Sequence, residues 1–293
     1  MLQTMGQTLN SNRQGRKKDY LKGKASLSPF AIGKNLWEQR ELIKQFTKRQ
    51  VIARYKGSYL GILWSFITPL FLLIVFTFVF SVIFQARWGV SSGNKIEFAL
   101  ILFCGLTVFN IFAECLNSSP NMILNNVNYV KKVVFPLEIL PLVILGSALV
   151  HAGISLIILF AGVAVFMQTI NWTMIFLPLV ILPLMLMSLG LSWFIAALGV
   201  YLRDIGHLVG VITQALMFLT PIFYPISIIP EKYLIFYYLN PIGYVVEDMR
   251  RIIIWGQLPD WGWLMFGTAL SGLVAYLGYF WFQKARGGFA DVL

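Results

Sequence analysis

Charge is what this sequence has least of. Asp, Glu, Lys and Arg make up only 12% of its 293 residues, while 58% are hydrophobic; a soluble domain carries about twice that share of charge. So little polar surface cannot cover a water-soluble fold of this size. Two stretches, residues 57–86 and 139–202, hold no Asp, Glu, Lys or Arg. A hydrocarbon core about 30 Å thick is crossed by about 20 apolar residues rising about 1.5 Å each. The second stretch is long enough to cross twice.

Cysteine is also scarce. Cys104 and Cys115 read as lying on one helix, about 16 Å apart at the standard rise. That is too far for a disulfide, and both read as packing residues. There is no G-x-x-x-x-G-K-[ST] loop, so ATP is not hydrolysed here by that route. No His, Cys, Asp or Glu cluster has metal-ligand spacing. Ion-coupled carriers and membrane enzymes place ionisable groups at mid-membrane. Here these reduce to His151 inside a span, read as a packed helix residue, with Glu114 and Glu138 near span ends. No internal repeat is visible. Residues 1–34 lack the apolar core of a cleavable signal and read as a basic, flexible tail. The net charge of +11 does not indicate nucleic acid. The basic residues lie beside a hydrophobic span, where anionic lipid headgroups are the plainer partner.

What is present is a set of helical spans. Residues 35–56 are expected to form an amphipathic helix in the interface plane, with Leu36, Leu42, Ile43, Phe46 and Val51 on one side and Glu38, Glu41, Lys44, Lys48 and Arg49 on the other. Six spans are expected at about 59–84, 98–116, 139–166, 174–200, 207–220 and 261–282. Ser119 as an N-cap and Pro120 at the first position predict a short helix over Met122–Lys132. Pro221, Pro225 and Pro230 break the pattern after span 5, and Asn240-Pro241 divides the two short segments of residues 231–256. The expected fold is therefore all-α and integral to the membrane, with six spans and re-entrant helices between spans 5 and 6. With the N-terminus in the cytoplasm, 18 of the 23 Lys and Arg fall on the cytoplasmic side, as positive-inside orientation requires. Residues 288–293 form a short cytoplasmic tail.

The aromatic share is 15%. Trp37, Trp88, Trp172, Trp261 and Trp263 sit at span borders, as interfacial belts do. Phe66, Phe76, Phe80 and Phe84 recur at near-helical spacing in span 1 and are candidates to line a conduit.

Several of these segments resemble one family. R-Y-K-G-S-Y-L-G-I-L-W (Arg54–Trp64), followed by Pro69, resembles the start of the first span in ABC-2 type permeases of polysaccharide exporters. N-M-I-L-N-N-V-N-Y-V-K-K-V-V-F-P (Asn121–Pro136) is similar to their cytoplasmic coupling segment. L-R-D-I (Leu202–Ile205), P-I-F-Y-P (Pro221–Pro225) and N-P-I (Asn240–Ile242) follow in the family's order. The resemblance covers about residues 35–287 and is nearest to Wzm-like permeases of O-antigen exporters, with teichoic-acid permeases as cousins. The basic tail is longer than the family pattern.

The resemblance implies a bacterial cytoplasmic-membrane homodimer that pairs with two copies of a separate ABC ATPase. Those ATPases would bind the ATP and Mg; this chain would bind no cofactor. The cargo would be a polysaccharide on undecaprenyl pyrophosphate. Coupling falls to Asn121, Asn125, Asn128, Tyr129 and Lys131. Headgroup capture falls to Arg54 and Lys56, whose cations stand at the interface before span 1. An extracytoplasmic gate falls to Phe223 and Tyr224, with Glu247, Arg250 and Arg251 paired at helical spacing as an exposed, weakly stabilising group that orients the second short helix. A permease for a small lipid, a drug or a teichoic-acid polymer shares this architecture. A lipid-linked sugar transferase would need a carboxylate or histidine constellation at one interface, and none is visible.

Overall fold

The computed structural model describes residues 28–83, 95–131, 135–234, 237 and 240–293, which form helices, turns and no strand. Residues 1–27 of the expected tail, together with Phe84, Trp88 and Lys132, lie outside them, as does the side chain of Phe80.

The chain divides into two units, residues 1–42 and 43–293. In the first, helix α1 (Pro29–Glu38) begins inside the stretch read as tail. Ser28 caps it by accepting from the Ala31 N–H, and Pro29 fills the first turn, where no donor is needed. Phe30 and Trp37 are strongly exposed, and the Arg40 guanidinium lies 5.4 Å from the Trp37 ring centre. The expected single amphipathic helix is thus two, because the chain turns at Gln39.

α2 (Arg40–Tyr55) continues into the second unit. The long helices there are α3 (Trp64–Phe76), α4 (Lys95–Ser118), α6 (Leu140–Gly162), α7 (Leu177–Tyr201) and α10 (Trp261–Ala285). With their flanking turns they form five stretches apolar and long enough to cross a membrane: Gly61–Val79, Ile96–Ser118, Leu137–Met167, Trp172–Tyr201 and Trp261–Val292. Expected spans 1 to 4 and 6 fall on these. α8 (Ile205–Leu219), where span 5 is expected, is equally apolar but has only 15 residues, about 22 Å at the standard rise. The shorter α5 (Val127–Lys131), α9 (Pro241–Ile253) and α11 (Phe289–Val292) complete the set.

α4 is the buried centre of this unit, packed by α6, α7, α8 and α9. α7 and α10 make its most extensive helix pair. Gly190 and Gly278 permit this, since a Cβ at Gly190 would lie 2.5 Å from the Val274 carbonyl oxygen and one at Gly278 would run into the Gly190 carbonyl. Small residues let helices approach to backbone contact. Trp193 and Tyr279 meet edge to face beside the crossing, 5.2 Å between ring centres. α3 is the opposite case: of its residues only Ser65 is buried.

Three expectations fail locally. The Met122–Lys132 helix is reduced to a 3-10 turn (Leu124–Asn126) and α5. Ser119 does not cap it. Its hydroxyl donates back to the Cys115 carbonyl at 2.6 Å, closing the end of α4, the other common use of a serine hydroxyl next to a helix. Gly199 of α7 packs on Pro120 so closely that a Cβ would collide with its backbone. Arg49, placed opposite Phe46 on the wheel, lies on the same side; both line one cavity.

Candidate functional site

Three polar arrangements stand out in an otherwise apolar unit. The first joins the end of α2 to α4 and α6. Arg54 Nη1 donates to Glu114 Oε1 at 2.8 Å and lies 2.8 Å from His151 Nδ1. His151 Nδ1 lies 3.3 Å from Glu114 Oε2. Tyr55 meets the His151 ring edge-on, 5.9 Å between centres. Burial raises the Tyr55 hydroxyl above its ordinary value, with the Arg54 charge pulling the other way, so it stays neutral. These groups border a cavity of about 510 Å³ whose other walls include Trp64, Thr68, Thr107, Asn110 and Ser155. A carboxylate and an imidazole inside apolar helices require partners, and α2 supplies the cation. Sequence reading took Arg54 for its site but assigned His151 to packing and gave Glu114 no role. Lys56 is exposed in the turn after α2 and makes no ion pair among the described residues.

The second arrangement ties α2 to the expected coupling segment. Tyr129 stacks on Phe135 with ring centres 4.5 Å apart, and Phe46 meets both rings, at 5.9 and 5.3 Å. Arg49 reaches the Tyr129 hydroxyl at 3.5 Å. Asn121 and Asn125 line a second cavity of about 510 Å³ beside them. Asn121, Asn125, Asn128 and Lys131 are exposed. Thr47 of α2 seats against Gly146 of α6, where a Cβ would lie 2.8 Å from the Thr47 hydroxyl. At the same end Arg286 pairs with Glu138 at 2.7 Å and donates to the Phe135 carbonyl.

The third lies at the opposite end of α4. Arg250 is fully buried, which corrects the expectation of an exposed pair. It donates to the carbonyls of Pro221 at 2.7 Å, Ile222 at 2.9 Å and Ile101 at 3.3 Å, and meets Glu247 at 3.4 Å. Arg251 pairs with Asp260 at 3.6 Å. Asn240 caps α9 by accepting from the Ile242 N–H, and its amide donates to Thr220. Tyr224 donates to the Phe218 carbonyl at 2.9 Å, closing the end of α8. Phe223 stacks on Phe218 and reaches Phe76, the last residue of α3, 6.4 Å between centres. Thus Phe76 is drawn to the broken segment, while Phe66 is exposed on α3.

The chain is 27% identical over 261 residues to the O-antigen export system permease protein RfbA of Myxococcus xanthus, covering 88% of this chain and 97% of that protein. It is 25% identical over 262 residues to a protein of the same name from Klebsiella pneumoniae, with the same coverage. It is 23% identical over 234 residues to the polysialic acid transport protein KpsM of Escherichia coli, covering 76% of this chain and 84% of that protein. Residues 41–254 match the family described as ABC-2 type transporter, a stretch that runs from α2 to the end of α9 and contains the first arrangement whole and the other two except Arg286 and Asp260. The chain is a member of the ABC-2 type transporter family.

Proposed function

We propose that this chain is the permease of an ATP-driven exporter that carries a polysaccharide on undecaprenyl pyrophosphate, O-antigen-like, across the bacterial cytoplasmic membrane. The observation that carries this reading is similarity along 97% of the length of O-antigen export permeases. The third relative is also named for transport of a polysaccharide. Two copies form the conduit and two copies of a separate ABC ATPase drive it with ATP and Mg. Both termini face the cytoplasm, as the Lys and Arg distribution requires.

The three arrangements take distinct roles in this reading. Arg54, with Lys56 beside it, receives the pyrophosphate headgroup from the inner leaflet. Asn121, Asn125, Asn128, Tyr129 and Lys131 meet the ATPase, and the Tyr129–Phe135–Phe46 cluster passes its motion to α2. Phe66, Phe76, Phe80 and Phe84 offer a nonionic track, and the Phe223–Tyr224 segment narrows the outer mouth. Deleting the gene should remove a surface polysaccharide and leave its lipid-linked form inside the cell, with both restored by the intact chain. An unchanged surface glycan profile would overturn the assignment.

A further inference from the structure

The contacts around His151 are mutually exclusive. Its Nδ1 can accept the Arg54 N–H or donate a proton to Glu114; it cannot do both, although Arg54 Nη1 stands 2.8 Å away and Glu114 Oε2 3.3 Å away. The proton state of the ring decides. A neutral ring binds Arg54. A protonated ring binds Glu114, satisfies that carboxylate and repels the guanidinium. Two further groups await a partner. Nε and Nη2 of Arg54 donate to no acceptor among the described residues, and Arg54 is half exposed. His151 Nε2 is buried with no hydrogen bond.

We infer that this cavity is a phosphate site with an internal substitute anion: Glu114 occupies Arg54 until a phosphate group displaces it, and His151 then takes up a proton to hold the displaced carboxylate. The inference rests on the headgroup reading of Arg54 and adds Glu114 and His151 to it. Charge favours it. With a neutral ring, Arg54 and Glu114 cancel, so an added anion would leave uncompensated charge in a low-dielectric site. One proton on His151 offsets one unit of that charge. The groups facing His151 are Arg54 and Tyr55 from α2, Glu114 from α4 and Ser155 on its own helix, whose hydroxyl donates to the His151 carbonyl. The α3 wall adds only uncharged side chains, Trp64, Ser65, Thr68, Pro69 and Leu72. An arginine edge fits phosphate in a two-point grip that an ammonium cannot make. The cavity volume of about 510 Å³ suits a small-molecule group.

The test is calorimetric binding of farnesyl diphosphate and of inorganic pyrophosphate to the full chain in detergent, in buffers of different ionisation heat. Proton uptake by wild type should exceed that of His151→Gln, whose residual uptake reports the ligand's own titration. The excess should strengthen wild-type binding by up to about tenfold per pH unit of acidification. Glu114→Gln removes the substitute anion, so binding should tighten about tenfold and the excess uptake should vanish. Gel filtration checks the fold of each variant, and either one alone tests the exchange. Equal affinity and equal uptake in wild type and the folded variants would overturn the exchange while leaving the headgroup reading in place. Absence of binding by both ligands would remove the headgroup reading as well. Preference for the prenyl form marks a lipid-borne phosphate, and equal binding of pyrophosphate marks phosphate alone; both outcomes support the site.

Discussion

Arg250 reaches back along the chain to hold the carbonyl oxygen of Pro221 at 2.7 Å. Pro221 stands just after α8, which ends about 8 Å short of the hydrocarbon thickness that a span must cover. Backbone carbonyls released at that depth need donors from the protein. Arg250 supplies two of them from its terminal nitrogens, to Pro221 and Ile222, and a third to Ile101. It is a backbone partner for a broken helix, charge-balanced by Glu247.

Arg250→Met should therefore leave buried carbonyls unmet, at roughly 1–3 kcal/mol each. The thermal unfolding midpoint in detergent should fall by several degrees. Arg250→Lys should recover only part, because an ammonium lacks the planar fork. Equal midpoints for Arg250→Met and the parent would show that water already satisfies these carbonyls.

Tyr129→Glu places a charge in the stack on Phe135 and Phe46 and removes the Arg49 contact. Insertion should be normal and the ATPase partner should still hydrolyse ATP, with export down by an order of magnitude or more, about 1.4 kcal/mol of lost coupling per tenfold. Tyr129→Phe should keep most transport. Full export by Tyr129→Glu would remove this cluster from the coupling path.

Cysteines at Asn125 and Ser227 should label from opposite faces of intact cells, Ser227 from outside. Cys104 and Cys115 are both buried, so the background from native thiols should be low. Labelling of both new thiols from outside would refute the orientation.

Much of this arrangement was legible in the sequence because membrane helices announce themselves by length and apolarity. The break after α8 followed from three prolines, and the start of α9 from Asn240-Pro241, a cap and a first-turn residue in order. Glu114 and His151 were visible as ionisable residues in apolar helices, yet their union was not. They lie 37 positions apart, and no local period links them. The usable signal was that each needs a partner, with Arg54 a cation at the adjoining boundary. Ser119 was misread because a serine before a proline fits a helix start as well as a helix end; the choice was made by α4 running on to Ser118 and by Gly199 packing on Pro120. Arg250 was misread because the spacing to Glu247 is the same for an exposed pair as for a buried one.

The Gly190–Gly278 crossing also constrains motion. Two helices seated backbone on backbone, with Trp193 and Tyr279 wedged beside the crossing, cannot slide or roll past each other without a collision. α7 and α10 therefore form a rigid pair. α3, with one buried residue and a π-helical end, has no such backbone-on-backbone lock among the described residues.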